Sequence, residues 1–200
     1  RMWTLDIVAG EGRVGNEAGG NGLETTQLSN FTATSDNSGA KELWRGPWAG
    51  ISRTNWILTN IDKSPKISDA KKTQYKGEAH FLRGLYYFNL VRLFGDVPWI
   101  DKQQTASDDL QVSRTSKDIV YQHIIDDFSD AASMLPAVYE NTTDIGRATK
   151  GAAFGLLAKV YLTLKRYNET LVAIDSVMNL GVYSLNRKYE WNFSDLRENG

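Results

Sequence analysis

The chain contains no cysteine and only two histidines, His80 and His123, among its 200 residues. The absence of cysteine excludes disulfides, thiolate nucleophiles, iron–sulfur clusters and cysteine-ligated zinc from this stretch. Four positions beyond the histidines stand Gly84 and Asp127, so neither histidine has a second zinc-binding histidine at helical spacing. His123 and Asp127 are instead spaced for an exposed contact on one helix. We therefore expect no metal, no cofactor and no histidine-based catalytic triad.

Clustered positive charge and long apolar runs are also missing. The chain has 23 Lys and Arg against 24 Asp and Glu, which gives a net charge of −1 at pH 7. Nucleic-acid binding needs a basic face that neutralises phosphates, so no nucleic-acid partner is expected. No apolar run approaches the roughly 18 residues that a membrane-spanning helix needs. Neither end carries a targeting signal and both ends look cut, so we expect the chain to be part of a longer protein.

Glycine is concentrated at the front of the chain, where residues 1–40 contain seven of the 17 glycines. Together with interleaved Asn, Ser and Thr, this composition predicts a loop-rich segment over residues 1–42. The spacing Gly10-x-Gly12-x-x-Gly15 follows a strand-like run, Leu5 to Ala9, as in a dinucleotide-binding motif. That motif requires a helix to begin within it, and the glycine-rich sequence that follows disfavours one, so a flexible loop is expected instead.

Helical periodicity begins at Leu43 and predicts an all-α core over residues 43–181. The first helix has Pro47 in its first turn or at a kink, the second is capped by Ser68 and stopped by Gly95, and the third starts at Thr115 or Ser116. Two further helices are expected at about 149–165 and 168–180, and an irregular region begins at residue 182. The predicted inward residues of the first three helices are Trp44, Trp48, Ile51, Asn55, Leu58, Ile61, Tyr75, Ala79, Leu82, Tyr86, Asn89, Leu93, Ile119, Ile124, Phe128, Ala131 and Leu135.

The last two predicted helices have the spacing of a tetratricopeptide repeat. Phe154-x2-Leu157-Ala158-x2-Tyr161 matches the pattern W-x2-L-G-x2-Y with substitutions. Thr170, Ile174 and Val177 follow at the spacing at which the second helix of such a repeat faces the first. A plain helical hairpin is the alternative, and in both cases these residues form core rather than a chemical site.

Acidic and basic residues give little support to catalysis. Asp126 and Asp127, like Asp108 and Asp109, are neighbours in sequence, and helical neighbours point about 100° apart. They are therefore not expected to converge on one glycosidic bond, and a solvated acidic face is the simpler interpretation. Arg83 and Arg92 are expected to be structural.

The second predicted helix has the most specific pattern of the chain. The run from Gly77 to Pro98, GEAHFLRGLYYFNLVRLFGDVP, resembles the hallmark helix of the SusD/RagB family. The order Trp44, Trp48, Ile51, Asn55 upstream resembles the helix that precedes it in the family, and residues 147–162 resemble the segment that follows it. The similarity covers about residues 28–185. Three positions depart from the family pattern. Trp48 stands where tyrosine is usual, His80 where arginine or lysine is usual, and Gly84 where alanine is usual.

This resemblance implies a tetratricopeptide-like α-solenoid whose long glycine-rich loops carry the binding surface. It also implies a non-enzymatic, surface-exposed lipoprotein of the outer membrane, held by a lipid anchor outside this stretch. Its partners would be an oligosaccharide ligand and a SusC-like TonB-dependent transporter. A peptide-binding member of the family and a general tetratricopeptide scaffold for protein interactions are the alternatives.

Candidate ligand-binding residues lie in the front segment. Sugars present apolar ring faces and fans of hydroxyls, which aromatic planes and Asn or Asp side chains match. On this basis the candidates are Trp3, Asn21, Asn30, Phe31 and Asp36. The aromatic residues among them could instead serve only to pack the loops, and further site residues are expected beyond Gly200.

Overall fold

The computed structural model describes residues 2–10, 23–108 and 110–193, without the side chains of residues 2–4, 192 and 193. The chain divides into two compact units, residues 1–49 and 50–200. In the described residues, no helix is both long enough and apolar enough to cross a membrane.

The first unit contains two short helices, α1 (Met2–Val8) and α2 (Leu23–Ser29), which pack against each other. The segment predicted to be loop thus contains helices, and the strand-like interpretation of Leu5 to Ala9 is wrong. A short apolar run is compatible with either a strand or a helix segment, and periodicity alone does not separate them. Ile7 is buried here, while Leu5 and Val8 are partly exposed, as on an amphipathic helix.

Helix α3 (Ser38–Asn60) begins five residues before the predicted start and has Pro47 in its interior. The earlier start has a local cause, because the Asn37 side chain accepts hydrogen bonds from the backbone N–H groups of Gly39 (3.0 Å) and Ala40 (3.3 Å). Asparagine is a favoured helix N-cap because it satisfies N–H groups that have no partner within the helix. Of the two alternatives given for Pro47, the first turn is therefore excluded, and the proline lies within the helix.

Four further helices lie wholly within the second unit, and their bounds follow the predicted pattern closely. They are α4 (Asp69–Phe94), α5 (Lys117–Met134), α6 (Lys150–Thr163) and α7 (Tyr167–Met178). Short 3₁₀ turns occur at Ile61–Lys63, Thr142–Asp144 and Tyr189–Phe193.

The helix caps explain why these bounds were predictable. Ser68 accepts a hydrogen bond from the backbone N–H of Lys71 (3.4 Å), which confirms it as the N-cap of α4. Gly95 ends the same helix with a φ of 68°, a left-handed conformation that glycine adopts without steric cost.

The core of this unit lies where α4 packs against α5 and α5 against α6. Its largest fully buried side chains include Tyr87, Phe88, Leu90, Ile124 and Phe128. Three predicted inward residues are instead exposed, namely Leu82, Leu93 and Ile119. Leu82 and Leu93 lie on α4, which carries large apolar side chains around its whole circumference, so periodicity does not select its buried face. Ile119 lies in the first turn of α5, where the next residue, Val120, is buried instead.

Helices α6 and α7 form the predicted hairpin. Ala158 and Thr170 are buried as expected, but Ile174 is exposed and its neighbour Ala173 is buried in its place. A small residue at the contact lets two helices approach closely, which is the packing reason for the repeat pattern. The described part of the chain therefore has the all-α, tetratricopeptide-like fold that was predicted.

Candidate functional site

The loop between α2 and α3, residues 30–37, contains three of the five predicted ligand-binding residues. Asn30, Phe31 and Asp36 are all exposed there. The structure thus places these three on one loop of the first unit. Trp3 lies in α1, with a side chain outside the described residues, and Asn21 lies outside the described residues altogether.

Phe31 stands in the position directly after the C-cap of α2, with a φ of 57°. The backbone N–H of Phe31 donates to the carbonyl of Leu28 (3.3 Å), and that of Thr32 donates to the carbonyl of Gln27 (2.8 Å). These two bonds are those of a Schellman motif, in which the left-handed position is usually glycine. A side chain with a Cβ costs about 1 kcal/mol or more in this conformation.

The Phe31 ring recovers little of that cost by burial, because the residue is 78% exposed. Strained positions that persist in a folded protein are a reason to look for function. The packing role considered for Phe31 in the sequence does not account for a ring that faces solvent.

Asn37 makes the loop rigid at its far end. Its side chain is buried and donates to the carbonyl of Glu24 (2.8 Å) and to the side-chain oxygen of Gln27 (3.0 Å). Because the same side chain also caps α3, it ties the start of α3 to α2. Loops held by a rigid scaffold are common locations for binding residues.

The polar residues beside the ring are accessible to a ligand. Asp36 forms an exposed ion pair with Lys41 (3.1 Å), and exposed pairs of this kind contribute little to stability. The carboxylate therefore keeps most of its accepting capacity, and Asn30 supplies an amide. An exposed aromatic plane flanked by an amide and a carboxylate matches the apolar face and the hydroxyls of a sugar ring.

Asp127 belongs to a buried polar network in the second unit rather than to a solvated acidic face. It is only 2% exposed, and the Arg83 guanidinium donates to both of its oxygens (2.9 and 2.7 Å). His80 Nδ1 lies 2.7 Å from the same carboxylate. The expected contact of Asp127 with His123 is therefore wrong, and His123 stacks on Trp99 at 4.3 Å between ring centroids.

Arg83 also organises the segment after α4. Its Nη1 donates to the Asn55 side chain (3.0 Å) and to the carbonyl of Asp101 (3.0 Å). Burial disfavours the charged guanidinium, but the hydrogen bonds and charge of Asp127 outweigh burial, so the pKa of Arg83 is raised. The four hydrogen bonds of Arg83 go to protein atoms, which agrees with the structural role expected for it.

No group of three or more His, Asp or Glu side chains in the described ranges is arranged to hold a metal ion. The described residues thus place the chain among the all-α, tetratricopeptide-like proteins, and the loop of residues 30–37, called the Phe31 loop below, presents the exposed candidate residues.

Comparison with known proteins identifies the family to which the chain belongs. A family model described as starch-binding and associating with the outer membrane, SusD-like, matches residues 7–162. The chain is 32% identical over 156 residues to SusD-like protein P2 of Formosa agariphila, covering 76% of this chain and 30% of that protein. It is 26% identical over 148 residues to the starch-binding protein SusD of Bacteroides thetaiotaomicron, covering 68% of this chain and 26% of that protein.

A solved structure agrees with this assignment. A laminarin-binding SusD-like protein, 29% identical, superposes with a TM-score of 0.79 and covers 88% of this chain and 39% of its own. The chain belongs to the SusD-like family, as its sequence patterns predicted. It spans less than a third of the length of the curated relatives named here. Membership in a family described by binding agrees with the prediction that the chain is not an enzyme.

Proposed function

We propose that this chain is part of a surface glycan-binding protein of the outer membrane, and that the Phe31 loop contributes a sugar-stacking contact. The observation that carries the proposal is the exposed ring of Phe31, held in a backbone position that favours glycine. The family description supports starch or a related glycan as ligand, and one structural neighbour is named for laminarin binding.

The proposal extends to transport. A SusD-like protein of this kind captures an oligosaccharide by stacking and hydrogen bonds and passes it to a SusC-like TonB-dependent transporter, with a lipid anchor holding it at the cell surface. No covalent step is involved. Individually weak contacts suit this task, because the ligand must be released onward.

The test is native electrophoresis of the full-length protein through gels cast with laminarin, starch or no polysaccharide. We expect retardation in one polysaccharide gel and a weaker effect for Phe31→Asn. Asparagine tolerates the left-handed conformation, so this variant removes the ring without adding strain. Loss of one stacking contact of about 1 kcal/mol predicts roughly fivefold weaker binding.

The matched control is Tyr167→Ala, which removes an exposed aromatic ring from the first turn of α7 in the other unit. It should migrate like the unmodified protein. Equal retardation of Phe31→Asn and the unmodified protein would show that the Phe31 ring does not contribute to glycan binding. The absence of retardation in every gel, together with binding of peptides, would replace glycan capture by peptide capture.

A further inference from the structure

A groove of about 690 Å³ lies where the end of α4, the start of α5 and the α6–α7 turn meet. Its lining contains three cationic side chains, Arg92, Lys117 and Lys165, and one carboxylate, Asp118. The groove therefore has two positive charges in excess, in a chain whose net charge is −1. Clefts lined mainly by one sign of charge concentrate ligands of the opposite sign.

The position of Lys165 is held by the backbone. Lys165 follows the C-cap of α6 with a φ of 59°, and its N–H donates to the carbonyl of Leu162 (3.0 Å). The N–H of Arg166 donates to the carbonyl of Tyr161 (2.9 Å), which completes a Schellman motif. A lysine therefore stands where glycine would be free of strain, at a position that lines the groove.

Arg92 is preorganised in a similar way. Its Nε donates to the carbonyl of Phe88 (3.3 Å), its Nη2 donates to the Asn89 side chain (2.8 Å), and its guanidinium lies 4.3 Å from the Phe88 ring centroid. None of these partners is a carboxylate. An arginine fixed by neutral partners keeps its full charge for a ligand.

The remaining lining residues suit a polar ligand. Within the residues that the structure describes, neither Lys117 nor Lys165 forms an ion pair. Tyr121 also lines the groove, and burial raises the pKa of its phenol although Arg92 acts in the opposite direction. The phenol thus stays protonated at neutral pH and is able to donate a hydrogen bond. The volume lies in the range of small-molecule sites, about 300–1,000 Å³.

We propose that this groove binds the anionic group of an acidic saccharide, a carboxylate or a sulfate ester, through Arg92, Lys117 and Lys165. The proposal rests on the proposed function only for the choice of a saccharide as the carrier of the charge. It gives the chain a second site, selective for charged saccharides and separate in sequence from the Phe31 loop.

The test is calorimetric titration of the full-length protein with tetragalacturonate, with its neutral methyl ester, and with a sulfated galactan tetrasaccharide. We expect binding of at least one acidic probe, weakening as salt is added, and no binding of the ester. The double variant K117Q/K165G should bind that probe at least tenfold more weakly. Because glycine relieves the left-handed strain, the variant should keep or raise the melting temperature, which separates lost binding from unfolding.

Lys159→Gln is the matched control, since it removes an exposed lysine of α6 that does not line the groove. It should leave affinity unchanged. Equal binding of acid and ester, unchanged affinity of K117Q/K165G, or no binding of either acidic probe would overturn the proposal. Retardation in neutral polysaccharide gels should persist in K117Q/K165G, so a failure of the groove and a failure of the Phe31 loop are distinguishable.

Discussion

Phe31 and Lys165 occupy the same position at the ends of two different helices. Both follow the C-cap of a Schellman motif, with φ values of 57° and 59°, and neither is glycine. Each residue therefore costs the folded chain about 1 kcal/mol relative to glycine. Phe31 is exposed to solvent and Lys165 lines the groove, so neither residue offsets this cost by packing in the core. These two positions are therefore the clearest indication of binding at the scale of single residues.

Phe31→Gly should consequently stabilise the protein while it weakens glycan binding. Relief of the left-handed strain raises the free energy of unfolding by about 1 kcal/mol, and little burial is lost because the ring is exposed. Urea unfolding of the full-length protein measures the change. Phe31→Ala is the control, since alanine keeps the strain and should give no such gain. A glycine variant less stable than the alanine variant would contradict the interpretation.

The Arg83–Asp127 pair predicts a different residue-scale effect. Both side chains are buried, at 7% and 2% exposure, so removing one leaves an uncompensated charge in the interior. Arg83→Met and Asp127→Asn should each lower the free energy of unfolding by about 3 kcal/mol. The double variant should lose clearly less than the sum, because the second change removes the charge that the first left unpaired. Additive losses in urea unfolding would show that the pair is not coupled.

At the scale of the element, the caps of α4 and the spacing within α6 were predictable because they depend on local sequence. Ser68 and Gly95 mark the ends of α4 in the sequence as they do in the structure. The buried face of α4 was not predictable in the same way. Arg83, the centre of that face, is buried only because Asp127 from another helix neutralises it, and a partner 44 residues away leaves no local signal.

For the candidate site, the sequence was sufficient to choose residues but not to predict their backbone conformation. An aromatic residue among polar loop residues was sufficient to select Phe31. Its left-handed backbone was not foreseeable, because sequence rules place glycine at that position. The cationic groove was missed entirely, since Arg92, Lys117 and Lys165 are distant in sequence and converge only when α4, α5 and the α6–α7 turn pack together.

Helix packing makes opposite predictions for two helical glycines. A Cβ on Gly77 would lie 2.9 Å from Met134 Cβ and 3.0 Å from Leu135 Cγ, whereas a Cβ on Gly155 would meet nothing within 4 Å. Alanine is favoured over glycine in a helix by about 1 kcal/mol, while overpacking costs about 1–3 kcal/mol. Gly77→Ala should therefore lower the free energy of unfolding by about 1 kcal/mol, and Gly155→Ala should raise it by about 0.5–1 kcal/mol.

The two glycine variants serve as each other's control, because the chemical change is identical and only the surroundings differ. Urea unfolding of both proteins gives the comparison. Stabilisation by Gly77→Ala would mean that α4 and α5 can separate slightly without cost, which would contradict close packing at this contact.

At the scale of the whole molecule, Tyr87 and Tyr139 predict that the protein loses stability at alkaline pH. Burial, followed by the charge of Glu78, raises the pKa of Tyr139 above its ordinary value to about 12. Its hydroxyl donates to the carbonyl of Ala148 (2.8 Å) and lies 3.2 Å from a Glu78 oxygen. Burial also raises the pKa of Tyr87, whose phenol is hydrogen-bonded to Ile100.

Because the folded chain holds these protons more tightly than the unfolded chain, the stabilising contribution is complete below about pH 10 and is lost as pH rises towards about 12. The urea midpoint of the full-length protein should therefore fall over this window, and the fall should be shallower in Tyr139→Phe, which has no proton to lose there. Tyr167→Phe, at an exposed position, should follow the unmodified protein. Identical profiles for Tyr139→Phe and the unmodified protein would show that the Tyr139 hydroxyl does not couple folding to pH. A shallower profile would show that the Tyr139 hydroxyl, which lies between the Ala148 carbonyl and Glu78 of α4, couples folding to pH.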